Sequence, residues 1–207
     1  LLFIQDLENN FIKLDPKPTI LSPYNNQILI GTENEVIYGL QLDNLNIKTI
    51  YKSNSNHPIY QIEANEKEKT IYFTSLKFKI LNQNYKLINE TAVAIKDIKK
   101  VDESYYSFAG SGLCGLIKVG SKKSIWDKLY QKNIQKDPKF KECQLLNLKG
   151  KSTVYNSHNN CIYYATNMGL KFIDLNGLKE LKFNNKTLYI TNLQSYNNVV
   201  YALSTSE

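Results

Sequence analysis

A pattern that recurs five times along the chain most limits what this protein can fold into. Four copies have a polar turn, an apolar run that reaches a small residue, a short gap and a second apolar run, and the fifth begins the same pattern. The clearest copy is "CIYYATNMGLKFIDLNG" (161–177). The others are "NNQILIGTENEVIYGLQLDN" (25–44), "EKTIYFTSLKFKILN" (68–82), "ESYYSFAGSGLCGLIKVG" (103–120) and "YNNVVYALSTSE" (196–207). Repetition of this kind is typical of repeat architectures.

The spacing of the copies predicts a β-propeller. The small residues that anchor them are Gly31, Thr74, Ala109, Ala165 and Ala202. They lie about 35 to 56 residues apart, close to the length of a four-stranded antiparallel blade, and the long interval includes a helical insertion. Blades stack face to face, so a small anchor residue lets neighbouring inner strands approach. The expected fold class is therefore all-β, a propeller of about five blades or part of a larger one.

The apolar residues also favour strands, since the chain has 15 Tyr and 8 Phe but only one Met and one Trp. In the first complete copy we predict strands at 18–22, 27–32, 35–42 and 46–51. The second copy covers 58–88, the third 92–148 and the fourth 152–183. Residues 1–207 are thus expected to form a single propeller domain or a propeller fragment.

One helix is predicted, near 124–133, inside the third copy. Ser124 can cap it, Asp127 completes a box-like start, and apolar residues recur four positions apart. Asp137-Pro138 ends the pattern. A single helix in a strand-rich chain reads as an insertion.

Each end of the chain contains two predicted strands that belong to no complete copy of the pattern. Residues 187–203 supply two strands, and residues 1–15 contain two alternating runs, "LLFIQD" and "FIKLD". We expect 1–15 and 187–203 to form one composite blade, because unpaired strand edges promote aggregation. The alternative is that the chain is a piece of a larger propeller, typically seven-bladed.

The segment "IYYATNMGL" (162–170) resembles the signature of the two-component regulator propeller repeat. In that signature an apolar-aromatic strand runs into Gly or Ala, then Thr, two variable residues and Gly-Leu. The segment "ILIGTENEVIYGL" (28–40) matches the first half through Gly31-Thr32 but lacks Gly-Leu at the matching place. Tyr163 stands where the family usually has Trp.

The resemblance implies a sensor domain of a hybrid histidine kinase-like regulator. Such a domain is a periplasmic part of a membrane receptor, recognises a ligand without catalysis, and contacts other receptor domains or a dimer partner. Its ligand is unknown, with a saccharide among the candidates. The alternative is an intracellular scaffold propeller of the WD-repeat kind that mediates protein–protein interaction. That class expects recurrent Gly-His and Trp-Asp pairs, and the sole Trp126-Asp127 lies in the predicted helix.

No catalytic, cofactor-binding or metal-binding residues are predicted, so the chain is expected not to be an enzyme. "GSGLCG" (110–115) fits a phosphate-binding fingerprint, but "LIKVG" after it alternates like a strand instead of starting a helix. The only histidines, His57 and His158, and the three cysteines lack zinc-site spacing. Ser111 lacks the flanks of a nucleophile elbow. Ligand-binding residues stay unknown, because propeller sites converge from separate loops.

The net charge of +7 raises the question of nucleic-acid binding. Much of the excess lies in eight lysines: Lys118, Lys122, Lys123, Lys128, Lys132, Lys136, Lys139 and Lys141. No stacking aromatic residues or reading motif accompany them, so a solvated face is the expected role and no nucleic-acid partner is predicted. No run reaches the length of a membrane span, so this segment is not expected to insert into a membrane. Cys114, Cys143 and Cys161 are expected to be buried thiols.

Overall fold

The structure, a computed structural model, describes residues 14–133 and 142–204. These residues fall into two compact units, the first ending at Glu90 and the second beginning at Thr91. No helix in the described ranges is long and apolar enough to cross a membrane.

The first unit contains two antiparallel sheets. The first sheet has the order β1 (Pro18–Tyr24), β2 (Gln27–Thr32), β3 (Val36–Gln41) and β4 (Ile47–Lys52). The second has β5 (Gln61–Asn65), β6 (Thr70–Thr74), β7 (Lys77–Leu81) and the start of β8 (Leu87–Lys100). Apolar residues of both sheets share one core, which includes Leu29, Ile37, Ile62 and Phe73. The predicted strands and face-to-face packing are confirmed for this unit.

The second unit continues the pattern. Its first sheet has the rest of β8, β9 (Tyr105–Gly110), β10 (Cys114–Lys118) and β11 (Glu142–Leu146), with α1 (Asp127–Asn133) between β10 and β11. The next has β12 (Gly150–Asn156), β13 (Cys161–Thr166), β14 (Gly169–Asp174) and β15 (Gly177–Phe183), with a short β16 (Lys186–Thr187) at its edge. A two-stranded hairpin, β17 (Ile190–Tyr196) and β18 (Val199–Ser204), follows. The chain is thus all-β with one short inserted helix.

Asparagine pairs form two of the tight hairpin turns. Asn184-Asn185 and Asn197-Asn198 have positive φ at both residues, between 47° and 63°. Two-residue hairpin turns favour this conformation because it matches the right-handed twist of the flanking strands, and asparagine tolerates it well. The polar turns of the sequence pattern therefore have a direct structural cause.

The helix is one turn shorter than predicted, because residues 124–126 form its cap. The Trp126 backbone N–H donates to Ser124 Oγ at 3.0 Å, and the Ser124 N–H donates to Asp127 Oδ2 at 2.8 Å. This reciprocal pair is a capping box. Trp126 and Tyr130 are buried in the core of the second unit, which fixes the rotation of the helix.

The strand register supports a small anchor at Gly31 and moves two of the five anchors to larger residues, Phe73 and Leu203. Gly31 pairs with Ile20, and a Cβ on Gly31 would lie 2.7 Å from Ile20 Cγ2 and 2.9 Å from Ile59 Cγ2. In four sheets the strand that precedes the anchor strand, which we call the inner strand, has a bulge opposite the residue that follows the anchor. These inner strands are β1, β8, β12 and β17. By that register Leu203, not Ala202, is the fifth anchor, because Ser204 pairs across the bulge with Ile190. Thr74 ends its strand as Thr32 and Thr166 do, so it lies one residue beyond the anchor position.

Inner strands of the second unit are joined by a polar network around Asp97. Asp97 Oδ2 accepts hydrogen bonds from Ser152 Oγ at 2.7 Å and from the Thr153 N–H at 2.8 Å. Ser152 Oγ also accepts from the Leu193 N–H at 3.2 Å. Burial raises the pKa of the Asp97 carboxyl group despite these bonds. These hydrogen bonds join β8 to β12 and β12 to β17.

We expect Asp97→Asn to leave the free energy of unfolding at pH 7 within about 1 kcal/mol of wild type, because the amide oxygen can accept the same two bonds without a charge. Asp97→Ala leaves the Thr153 N–H without its acceptor and is expected to cost about 1–3 kcal/mol. Because the pKa of Asp97 is raised in the folded state, the folded state binds the proton before the unfolded state does. Wild-type stability should therefore rise as pH falls through the raised pKa toward the ordinary value of 3.8. Denaturant unfolding of the three proteins measures this; equal stability of both variants would contradict it.

The composite blade is described only in part. Hairpin β17–β18 confirms the two strands predicted for 187–203, whereas residues 1–13 lie outside the described ranges. Leu14 is buried in the first unit against Ile30 and Leu40. The pairing of 1–15 with 187–203 therefore stays a prediction.

Candidate functional site

A polar groove of about 490 Å³ opens at the loop end of the first sheet. Its walls come from the β2–β3 turn, from β3 and β4, and from the segment that joins β4 to β5. We call it the polar groove, and its lining residues are Asp15, Pro16, Asn34, Val36, Tyr38, Thr49, Lys52, Ser53, Asn54, Ser55 and Asn56. All belong to the first unit.

The lining is rich in hydrogen-bonding groups that the protein itself leaves unused. The side-chain amides of Asn34, Asn54 and Asn56 are exposed and make no hydrogen bond within the described part of the chain. Tyr38 is half-buried and gives the groove an aromatic surface. One acidic residue, Asp15, and one basic residue, Lys52, balance each other in charge. The groove is therefore suited to a neutral, polar ligand.

A buried ionic cluster lies directly behind the groove wall. Glu35 is 1% exposed, and its Oε1 accepts hydrogen bonds from Lys79 Nζ and from Ser75 Oγ, the latter at 2.6 Å. Its Oε2 accepts from Ser55 Oγ, and Ser55 is itself a lining residue. Lys79 Nζ also lies 5.8 Å from the centroid of the Tyr51 ring. We call these five residues the Glu35 cluster; it ties the loop wall of the groove to both sheets of the unit.

Electrostatics favour the charged form of Lys79. Burial alone would lower the pKa of Lys79, but the hydrogen bond and the negative charge of Glu35 raise it above its ordinary value. Three donors converge on the Glu35 carboxylate, so its charge is well compensated. The pair is a positioned structural charge rather than a free acid or base.

Glu35 also has an unusual backbone, with φ of 55°. This left-handed conformation disfavours residues with a side chain. In the clearest repeat, Gly169 stands three residues after Thr166, as Glu35 stands three residues after Thr32, and its φ is 96°. The glycine that is missing at residue 35 is thus a departure from the repeat signature, and it falls on the central residue of this cluster.

The structure does not bring the remaining sequence candidates together. "GSGLCG" is a hairpin turn between β9 and β10, as expected, with Gly112 at φ of 135°. His57 and His158 are exposed, and Cys114 and Cys161 are buried free thiols. Within the described ranges, no three His, Cys, Asp or Glu residues form a cluster that could hold a metal ion.

Lysines of the basic segment separate into two groups. Lys118 Nζ lies 3.2 Å from Asp127 Oδ1, and Lys122 pairs with Glu103. The hydrogen bond from Tyr105, with those from Ser124 and Lys118, lowers the pKa of Asp127 to about 2. Lys123, Lys128 and Lys132 are exposed. Lys136, Lys139 and Lys141 lie outside the described residues.

No family model matches the chain, and no curated protein matches it. Solved structures do. The chain is similar to the extracellular domain of the putative hybrid two-component system BT4673 from B. thetaiotaomicron, at 13% identity and a TM-score of 0.67, over 95% of this chain and 28% of that one. It is similar to the β-propeller domain of Cps50 (Swd1) from Myceliophteria thermophila, at 10% identity and a TM-score of 0.65, over 91% and 62%. It is also similar to a chain of the mitotic checkpoint complex, at 8% identity and a TM-score of 0.65, over 98% of this chain and 65% of that one.

The fold is a β-propeller. Antiparallel sheets whose strands pair in chain order, in a chain that known propellers match over nearly its whole length, decide it. The chain spans less than a third of the BT4673 domain, so its likeness to that domain concerns fold and not function.

Proposed function

We propose that this propeller is a non-catalytic, extracytoplasmic ligand-recognition domain of a two-component-type regulator, and that the polar groove binds its ligand. The observation that carries the proposal is the set of unused amides, Asn34, Asn54 and Asn56, around one groove. The fold it shares with the BT4673 extracellular domain supports a periplasmic location in a membrane receptor. Other receptor domains or a dimer partner would then carry the signal onward.

The chemistry of the lining favours a saccharide. Amide groups and the hydroxyls of Thr49 and Ser53 can donate to and accept from sugar hydroxyls, while the Tyr38 ring offers an apolar surface to a sugar face. The opposite charges of Asp15 and Lys52 disfavour a strongly anionic or cationic ligand.

The ionic pair behind the groove wall does not act on a ligand in the groove. Glu35 and Lys79 are buried, and each already bonds to the other. A general acid or base must reach its substrate within hydrogen-bond distance. Neither side chain is placed to do so.

A second candidate function is a scaffold propeller for protein–protein interaction. The similarity to Swd1 and to a mitotic checkpoint chain, at TM-scores matching that of BT4673, favours it. The encoded sequence on either side of this chain discriminates the two. A transmembrane helix followed by a kinase core supports the sensor, and their absence from the full gene supports the scaffold.

We expect calorimetric titration with a panel of neutral di- and trisaccharides to identify at least one that binds. Asn54→Ala or Asn56→Ala should then weaken binding about threefold to tenfold, the value of one hydrogen bond. Asn84→Ala, an exposed asparagine of the same unit outside the groove, is the matched control and should change nothing. Binding that survives both groove substitutions would place the site elsewhere.

A further inference from the structure

The second unit has a separate groove beside its inserted helix. It encloses about 410 Å³ between the helix region and the β14–β15 turn. We call it the helix groove. Ile125, Lys128, Leu129 and Lys132 form one wall, and Leu175 and Asn176 belong to the other. Its volume falls in the range of ordinary ligand pockets.

Core packing decides which side of α1 faces this groove. Trp126 is fully buried, and the Tyr130 ring lies 5.2 Å from the Tyr105 ring. These anchors lie four residues apart, so they hold one side of the helix against the sheet. Ile125, Lys128 and Lys132 are consequently presented outward, next to the turn.

Large apolar side chains at the groove remain open to solvent. Ile125 is 52% exposed and Leu175 is 55% exposed. Both line the groove, and the half-buried Leu129 belongs to its lining as well. Paired apolar walls of this kind are typical of surfaces that receive an apolar anchor from a partner.

The charges on the rim have one sign. Lys128 and Lys132 are exposed, and neither forms an ion pair with any residue that the structure describes, unlike Lys118 and Lys122. Like charges four residues apart weaken a helix rather than stabilise it. The two lysines therefore leave uncompensated positive charge on the rim, which an acidic partner would complement.

We propose that the helix groove binds an acidic peptide segment of a partner protein. An apolar side chain of that segment inserts between Ile125 and Leu175, and flanking carboxylates pair with Lys128 and Lys132. Charge complementarity selects this occupant, because basic or neutral segments gain nothing from the rim. The site is distinct from the polar groove, and its test does not depend on the ligand proposed there.

The test is selection of a random short-peptide library on the whole domain, followed by fluorescence anisotropy of an enriched peptide. We expect enriched peptides to combine Asp or Glu with Leu, Ile or Phe. Lys128→Glu with Lys132→Glu should weaken binding at least about tenfold, the scale of losing close charge pairs. Leu175→Ser should also weaken it, and added salt should weaken wild-type binding.

Lys151→Glu with Lys186→Glu is the matched control, since both lysines are exposed, belong to the second unit and lie outside the groove. It should leave binding within about twofold of wild type. Ile125→Ser, at an exposed position, gives a second test of the apolar contact, and circular dichroism checks that each variant is folded.

Three outcomes would overturn the proposal. The first is no enrichment of acidic peptides on wild type. The second is equal binding by the groove variant and its control. The third is concentration-dependent self-association that Leu175→Ser abolishes, which would make a second copy of the chain the occupant. Selective loss of acidic-peptide binding in both groove variants supports it.

Discussion

Replacing Glu35 with Ala is expected to lower the free energy of unfolding by about 3–5 kcal/mol, because it leaves Lys79 as an uncompensated buried charge. The substitution also removes the acceptor of Ser75 Oγ and Ser55 Oγ. Ser55 lines the polar groove, so weaker binding of the groove's ligand should accompany the loss of stability. Denaturant unfolding at pH 7 measures the first effect, and titration with the saccharide panel measures the second.

Matched variants separate charge from packing. Lys79→Met alone should cost a similar amount, since Glu35 is then the unpaired charge. Combining Glu35→Leu with Lys79→Met removes both charges and should recover much of the loss. Glu33→Ala, two residues away at an accessible site, is the control and should stay within about 0.5 kcal/mol of wild type. If Glu35→Ala is as stable as Glu33→Ala, the cluster does not stabilise the unit.

The pair also predicts alkaline sensitivity. Glu35 raises the pKa of Lys79 above the ordinary value of 10.5. The stabilisation is therefore fully present below that ordinary value and is lost as pH rises through the raised one. The stability difference between wild type and the doubly substituted protein should change in that window, and an unchanged difference up to the raised pKa would contradict the assignment.

Much of the fold follows from the sequence because strands and turns are encoded locally. Alternating runs such as "YYSFAG" and the Asn pairs between runs place strands and hairpins within a few residues of where they lie. The helix start follows from Ser124 and Asp127, although its first turn is a cap. The predicted anchors Thr74 and Ala202 each lie one residue from the position that the register gives. The register is set by bulges in the partner strand, and the sequence of the anchor strand does not reveal them.

The candidate sites could not be read from sequence in the same way. The polar groove combines the turn at Asn34, strand residues such as Tyr38 and the segment around Ser55, and only folding brings these together. Glu35 did leave a signal, because it stands where the repeat signature requires glycine. That departure was visible as a mismatch, but the partners Ser55 and Lys79 lie 20 and 44 residues away. The helix groove also needs the β14–β15 turn, and no pattern in the sequence indicates that this turn lies beside the helix.

The N-terminal segment gives the other large expected effect. Deleting residues 1–13 should lower the free energy of unfolding by about 3 kcal/mol or more, equivalent to a melting temperature about 6–12 °C lower. Hairpin β17–β18 has no further strand partner among the described residues, and Tyr201 and Leu203 are 54% and 63% exposed. We predict that the two N-terminal strands complete this sheet. Without them its open edge and apolar face should promote self-association.

Leu14 needs its own control because it is buried against Ile30 and Leu40. The deletion retains it, and Leu14→Ser in the full chain measures its separate contribution. Closure by the N-terminal strands predicts that the deletion costs more than Leu14→Ser and yields concentration-dependent oligomers in sedimentation experiments. If this chain is instead a piece of a larger propeller whose further blades cover β18, the deletion should stay monomeric with unchanged melting. That result would replace the composite blade with the larger ring, and the exposed face of Tyr201 and Leu203 would then mark where the next blade packs.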